Sequence, residues 1–483
     1  MLEVHIVQTN LPVERNSTRV RDEQYYIYWA LAIMYISDAR VLSIIKRIGI
    51  LCATCLPYAL TTATEIESAG GKWDANRAEA YLQRQRDVRS NFCKMLGIPV
   101  DRVALEPENR GQIERDGVVV EKWIFTSEPG SRVPCLLFRP VHPTEKMPAI
   151  VLTFGHGGSK SFWSYQYAGQ LFARLGVACL AMDPIGEEER NRTGKRGTRE
   201  HDQLDVDKRA DSLGRPVLGK MVFDATRGID FLLARDDIDA SRIGLAGNSL
   251  GGAVAQFTAA VEPRLRLVLV SGWMYDPYLA SHSKLCTATP LNRASEICTM
   301  EEMLSLSAPR CALLTLNGSA DTIIENRSPV GKDTGGEPWS GNHRAIAAAK
   351  EVYSGLGANP MWVGEWFQPG AGHREYFNDK VALEWVHRHL GTPTMTLDEI
   401  RQLPTIISGK WCDSHNLRFE KLYGTELHQR GQTLPDLGLH PFQDSDLAVL
   451  KKGEIGSPLY TIEGWLDTSD RTKATRLQHS SQQ

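Results

Sequence analysis

The run Ser241-Arg242-Ile243-Gly244-Leu245-Ala246-Gly247-Asn248-Ser249-Leu250-Gly251-Gly252 constrains this chain more than any other stretch. The apolar residues ending at Ala246 read as a strand, and Gly252-Ala253-Val254-Ala255 opens a helix. A serine at such a strand-to-helix turn is held exposed, at the cost of very close backbone approach. Glycines two positions before and two after the serine supply the room, and the chain has no second G-x-S-x-G. A hydroxyl is a weak nucleophile unless a base stands beside it. The motif therefore predicts Ser249 as a nucleophile and requires a histidine and an acid elsewhere.

The surroundings of the motif predict the fold class. From Val118 onward, short β-rich runs alternate with amphipathic helical patterns. Val118–Phe125 and Val133–Phe138 predict an opening antiparallel hairpin. Six further runs predict strands: Ala149–Phe154, Ala178–Met182, Ile243–Ala246, Leu267–Val270, Ala312–Leu316 and Met361–Phe367. Apolar strands separated by helices imply a parallel sheet covered on both faces. The expectation is a doubly wound, mostly parallel α/β domain over residues 116–391. Residues 64–115 read as a polar helical lead-in, stopped by Gly97 and Pro99. Residues 392–483 lose the alternation and read as a C-terminal appendage, its last dozen residues disordered.

Strand ends then nominate the partners of the serine. Thr153-Phe154-Gly155-His156-Gly157-Gly158 follows a predicted strand, where a loop can turn backbone N–H groups toward a developing oxyanion. Leu250 N–H, at the head of the helix, is one expected donor, and Gly158, or else Gly157, is the other. His156 belongs to that loop and reads as structural. His373, in Gly370-Ala371-Gly372-His373-Arg374-Glu375 after the last strand, is the expected base; His387 and His389 fall inside the final helix. Asp321, after the strand Ala312–Leu316, is the expected acid. Asp276, one strand earlier, is its rival. Trp273, Met274 and Tyr275 can line a substrate pocket or pack in the core.

Composition excludes several other classes. A formal net charge of -3 gives no footprint for nucleic acid or an anionic membrane. The clusters Glu187-Glu188-Glu189-Arg190 and Lys195-Arg196, and Asp183 beside the first, read as solvated loops, with no metal site. No G-x-G-x-x-G or P-loop lysine is present, so no nucleotide or other cofactor is expected. Nine cysteines are too few for a disulfide scaffold; Cys52 and Cys55 lack a second pair at zinc spacing, and a Cys286–Cys298 bridge stays open. Arg40, Lys46 and Arg47, apolar Ile48–Leu60 and then Thr61-Thr62-Ala63 follow the order of a signal peptide. Residues 1–63 are read as a leader, with Met34 as an alternative start and a secreted or periplasmic destination. The apolar stretch is too short for a comfortable membrane span.

Taken together, GHGG, the strand-end Asp183–Gly186 with Glu187 and Arg190, GNSLGG, NGSAD and GAGHREY resemble the α/β hydrolases of the acetyl xylan esterase and dienelactone-hydrolase-like branch. The resemblance implies ester hydrolysis through an acyl-enzyme, with Ser249, Asp321 and His373 as triad and a carbohydrate acetyl ester as substrate. Dienelactone hydrolases carry cysteine where this chain has serine. A peptidase of the prolyl-oligopeptidase-like branch is the alternative, although a lead-in of roughly 50 residues cannot form that branch's propeller. A catalytically silent binding module is the other.

Overall fold

The computed structural model describes residues 73–275, 288–321, 340–417 and 432–480. By internal contacts the chain divides into Met1–Trp73 and Asp74–Gln483, and the second unit contains the sheet and its helices. The leader, Cys52, Cys55, Asp276 and Cys286 lie outside the described residues; Cys298 is a buried free thiol.

Among the described residues, nine strands form one sheet: β1 (Glu108–Arg115), β2 (Val118–Glu128), β3 (Ser131–Pro140), β4 (Met147–Thr153), β5 (Ala178–Met182), β6 (Ile238–Asn248), β7 (Leu267–Ser271), β8 (Ala312–Gly318) and β9 (Val363–Gln368). Their spatial order is β1-β2-β3-β5-β4-β6-β7-β8-β9. The first three are antiparallel, β3 meets β5 antiparallel, and β5 through β9 are parallel. The hairpin and the six strands read from sequence are all present. β1 is a departure, because it falls where a helical lead-in was expected. Its sequence ENRGQIER has one apolar residue and a half-exposed alternation, so as an edge strand it carries little periodic signal. The helical part of the lead-in is Ala75–Met95, capped by Asp74, whose carboxylate accepts from Arg77 N–H at 2.8 Å.

The two-residue period of the strands divides the core into two layers. On β4, Ala149 and Val151 face one layer, while Ile150 and Leu152 face the other. The first layer is covered by the helices Ala75–Met95, Val217–Leu233, Leu250–Val261 and Ser340–Gly355. The second has the helices Trp163–Arg174 and Lys380–His389, which cannot shield so broad a sheet alone. The segment after Gly391 completes that cover. Ile400, Trp411, Leu434, Leu439, Phe442 and Leu447 are buried in the second layer, and Ile462, Trp465 and Leu466 cross to the first. The segment read as an appendage is therefore part of the core, and a helix runs through Ile462–Ser480 where disorder was expected.

The acidic loop after β5 is also a correction. Asp183, Glu187, Glu189 and Arg190 are 0–4 % exposed rather than solvated. Burial of charge requires partners, and the partners are distant in sequence. Lys160 Nζ, itself buried, lies 2.6 Å from Asp183 and 2.8 Å from Glu189. Arg190 meets Asp224 at 2.8 Å, and Asp224 in turn meets Lys220 at 2.7 Å. Burial pushes Lys160 down, yet Asp183, Glu188 and Glu189 together raise it well above the ordinary lysine value. Lys195 and Arg196 are exposed, as expected.

Candidate active site

Ser249 stands between the end of β6 and the helix Leu250–Val261, at φ 57° and ψ -118°. This left-handed-side backbone is costly for a side-chain-bearing residue and is held by its surroundings. Ser249 N–H donates to Ser271 O at 2.9 Å, tying the turn to the end of β7. The flanking glycines are required sterically. A Cβ at Gly247 would lie 2.1 Å from Gly251 O, and one at Gly251 would lie 2.3 Å from Thr153 O.

The next strand ends bring the other two groups together. Asp321 follows β8 in a turn closed by its own N–H on Gly318 O at 3.1 Å. His373 follows β9, and its Nδ1 lies 2.7 Å from Asp321 Oδ2, with both side chains fully buried. Nδ1 donates to the carboxylate in this arrangement, which leaves Nε2 as the ring nitrogen for proton transfer. The histidine loop is anchored to β7: Ser271 Oγ donates to Arg374 O at 2.9 Å and accepts from Tyr376 N–H at 2.7 Å. The same Ser271-Gly272 corner holds Ser249, and a Cβ on Gly272 would sit 3.0 Å from His373 Cε1. Ser249, Asp321 and His373 thus follow the ends of β6, β8 and β9, with the Ser271-Gly272 corner of β7 between the serine and the other two. His387 and His389 belong to the helix Lys380–His389, away from this corner in sequence and element.

The other expected residues are placed differently. Leu250 is the first residue of its helix, where N–H groups have no intrahelical acceptor. Gly158 N–H closes a turn onto Gly155 O at 2.9 Å, and Tyr165 packs where a Cβ at Gly158 would go. Gly157 N–H faces the buried Glu187 carboxylate. Of the two, Gly158 N–H is thus engaged within the loop. His156 stands 3.7 Å from Asp202 on the wall of a cleft. Trp273 and Tyr275 are core residues: Trp273 Nε1 donates to Gln256 at 2.9 Å and Tyr275 OH to Cys298 O at 3.3 Å. Met274 is buried beside them. Among the described residues, no group of three or more His, Cys, Asp or Glu could hold a metal ion. No described helix is long and apolar enough to cross a membrane.

Sequence reasoning placed Glu187 in a solvated loop, whereas it is fully buried. Its carboxylate accepts from Arg199 N–H at 3.0 Å and faces the backbone N–H groups of Gly197, Gly157 and Thr198. Burial pushes it up to about 7, against the pull of those donors. It ties the loop after β4 to the loop 197–199. The glycines in both segments were the available signal, since a carboxylate among glycine N–H groups makes an anion nest.

The sheet order and the strained serine turn at the end of β6 are those of the α/β-hydrolase fold. Residues 102–298 match the acetyl xylan esterase family model. The Bacillus subtilis (strain 168) protein YtaP, named as a hydrolase, is 26% identical over 190 residues, covering 37% of this chain and 61% of its own. The uncharacterized Mycobacterium tuberculosis (strain ATCC 25618 / H37Rv) protein Rv2307c is 28% identical over 196 residues, covering 38% of this chain and 57% of its own. The match thus spans less than two thirds of either relative's length. Among solved structures, the methylesterase BT1017 is similar with a TM-score of 0.52 at 16% identity, over 83% of this chain and 77% of that one.

Proposed function

We propose that this protein hydrolyses carboxylic esters through an acyl-enzyme on Ser249, releasing short acyl groups such as acetyl from a carbohydrate alcohol. The observation that carries the reading is the strained Ser249 turn beside the buried His373–Asp321 pair. Ser249 Oγ attacks the ester carbonyl carbon while His373 Nε2 takes its proton. The tetrahedral intermediate collapses, the C–O bond to the alcohol breaks, and His373 returns the proton to the departing oxygen. Water then adds to the acyl carbon by the same route and Ser249 regains its proton. Asp321 orients the imidazole and stabilises it when protonated. Leu250 N–H is the first oxyanion donor; Gly158 can add a second only by giving up its bond to Gly155. The basic–apolar–small order of residues 40–63 supports export to the periplasm or medium.

The test is turnover of p-nitrophenyl acetate and longer acyl esters by the wild type and Ser249→Ala. Acetate should be the best substrate, and the variant should lose activity by about a thousandfold or more while staying folded. Undiminished hydrolysis in the variant would overturn the reading.

A further inference from the structure

The loop that carries His373 is gripped on both sides, one residue after another. From the sheet, the Ser271 hydroxyl bonds to Arg374 O and Tyr376 N–H. The other grip comes from Gln432, a fully buried residue in the segment after Gly391. Its amide uses both ends: Oε1 accepts from Arg374 Nε at 3.3 Å, and Nε2 donates to Glu375 O at 2.8 Å. The backbone of Gln432 is itself fixed. Its carbonyl accepts from Ser408 N–H at 3.1 Å and from Ser408 Oγ at 3.3 Å. The next three residues, Thr433–Pro435, pair antiparallel with Thr405–Ile407. Tyr167 OH donates to Pro435 O, which joins this ribbon to the helix Trp163–Arg174.

We infer that Gln432 is a positioning residue for His373, acting through Arg374 and Glu375 to set where the imidazole stands against Ser249. The inference rests on the esterase reading above. The contact with Asp321 fixes Nδ1 alone. Where Nε2 points therefore depends also on the backbone that carries the ring. A displacement of about 1 Å in a reacting group costs on the order of a hundredfold in rate. An amide suits this place better than any other side chain of its size. The Arg374 guanidinium is fully buried, with Glu375 Oε2 at 3.4 Å, and its several N–H groups call for further acceptors. The carbonyl of buried Glu375 calls for a donor. A glutamine side chain accepts and donates at once, whereas a carboxylate would turn an oxygen toward the Glu375 carbonyl.

The experiment follows p-nitrophenyl acetate hydrolysis by the wild-type full chain, Gln432→Met and Gln432→Glu. Methionine keeps the volume without the hydrogen bonds; glutamate keeps the acceptor and removes the donor. Active sites are counted by end-point labelling of Ser249 with a fluorophosphonate, and kcat is expressed per labelled site. Both variants should lose about ten- to a hundredfold in kcat per site, with KM changed by less than about twofold. Their labelling rate should fall in parallel, because phosphonylation needs the same imidazole-assisted attack. A residue that serves only the fold would lower Tm and the number of labelled sites while each remaining site turned over normally. Wild-type kcat per site in either variant, or no folded protein from both, would thus overturn the assignment and leave the esterase reading standing. A wild type that neither hydrolyses the ester nor takes the label would instead remove the esterase reading.

Discussion

At the scale of single residues, the serine turn was legible because its chemistry is local. Gly247 and Gly251 are required by contacts within the turn and with β4, so the letters themselves carry the geometry. Gly251→Ala should destabilise the protein by about 1–3 kcal/mol, because the new Cβ meets backbone that cannot move aside. Urea unfolding would show it, and hydrolytic activity should fall with it. Asp321 and His373 were legible through their order along the chain, and the 2.7 Å contact between them brings the two together. The burial of Asp183 and Glu189 was not legible. It depends on Lys160, which lies 23 positions before Asp183 and carries no local mark of its role.

Among elements, the strands could be read because their apolar runs face core on both sides. β1 could not, since an edge strand with a polar face looks like a polar helix or loop in sequence. The loop after β5, at Glu187, is where titration should appear. A carboxyl pushed up to about 7 in the folded chain, from an ordinary value of 4.5, holds its proton more tightly folded than unfolded. Stability from Glu187 is therefore fully present below about pH 4.5 and is lost as pH rises toward 7. Thermal unfolding between pH 4.5 and 8 should show the wild type losing roughly 2–3 kcal/mol relative to Glu187→Gln, which keeps the shape without the charge. Parallel curves for the two proteins would contradict this.

The whole molecule depends on the segment that the alternation of strands and helices leaves out. Residues 392–417 and 432–461 lack periodicity because they cover the sheet with short helices and extended pieces, each burying a few large side chains. Truncation after Gly391 would expose the core that Ile400 and Trp411 now cover, and should give protein that unfolds without a cooperative transition by circular dichroism. A truncated chain with an unchanged Tm would show that the segment is dispensable.

The buried attachment of the segment after Gly391 has a consequence for synthesis. Phe442 is fastened to Gln166 across 276 residues, and Gln432 grips the backbone of the loop that carries His373, donating to Glu375 O at 2.8 Å. A nascent chain whose serine turn has already left the ribosome still lacks both fastenings. The serine thus stays without its finished surroundings during translation until residues 432–442 have emerged.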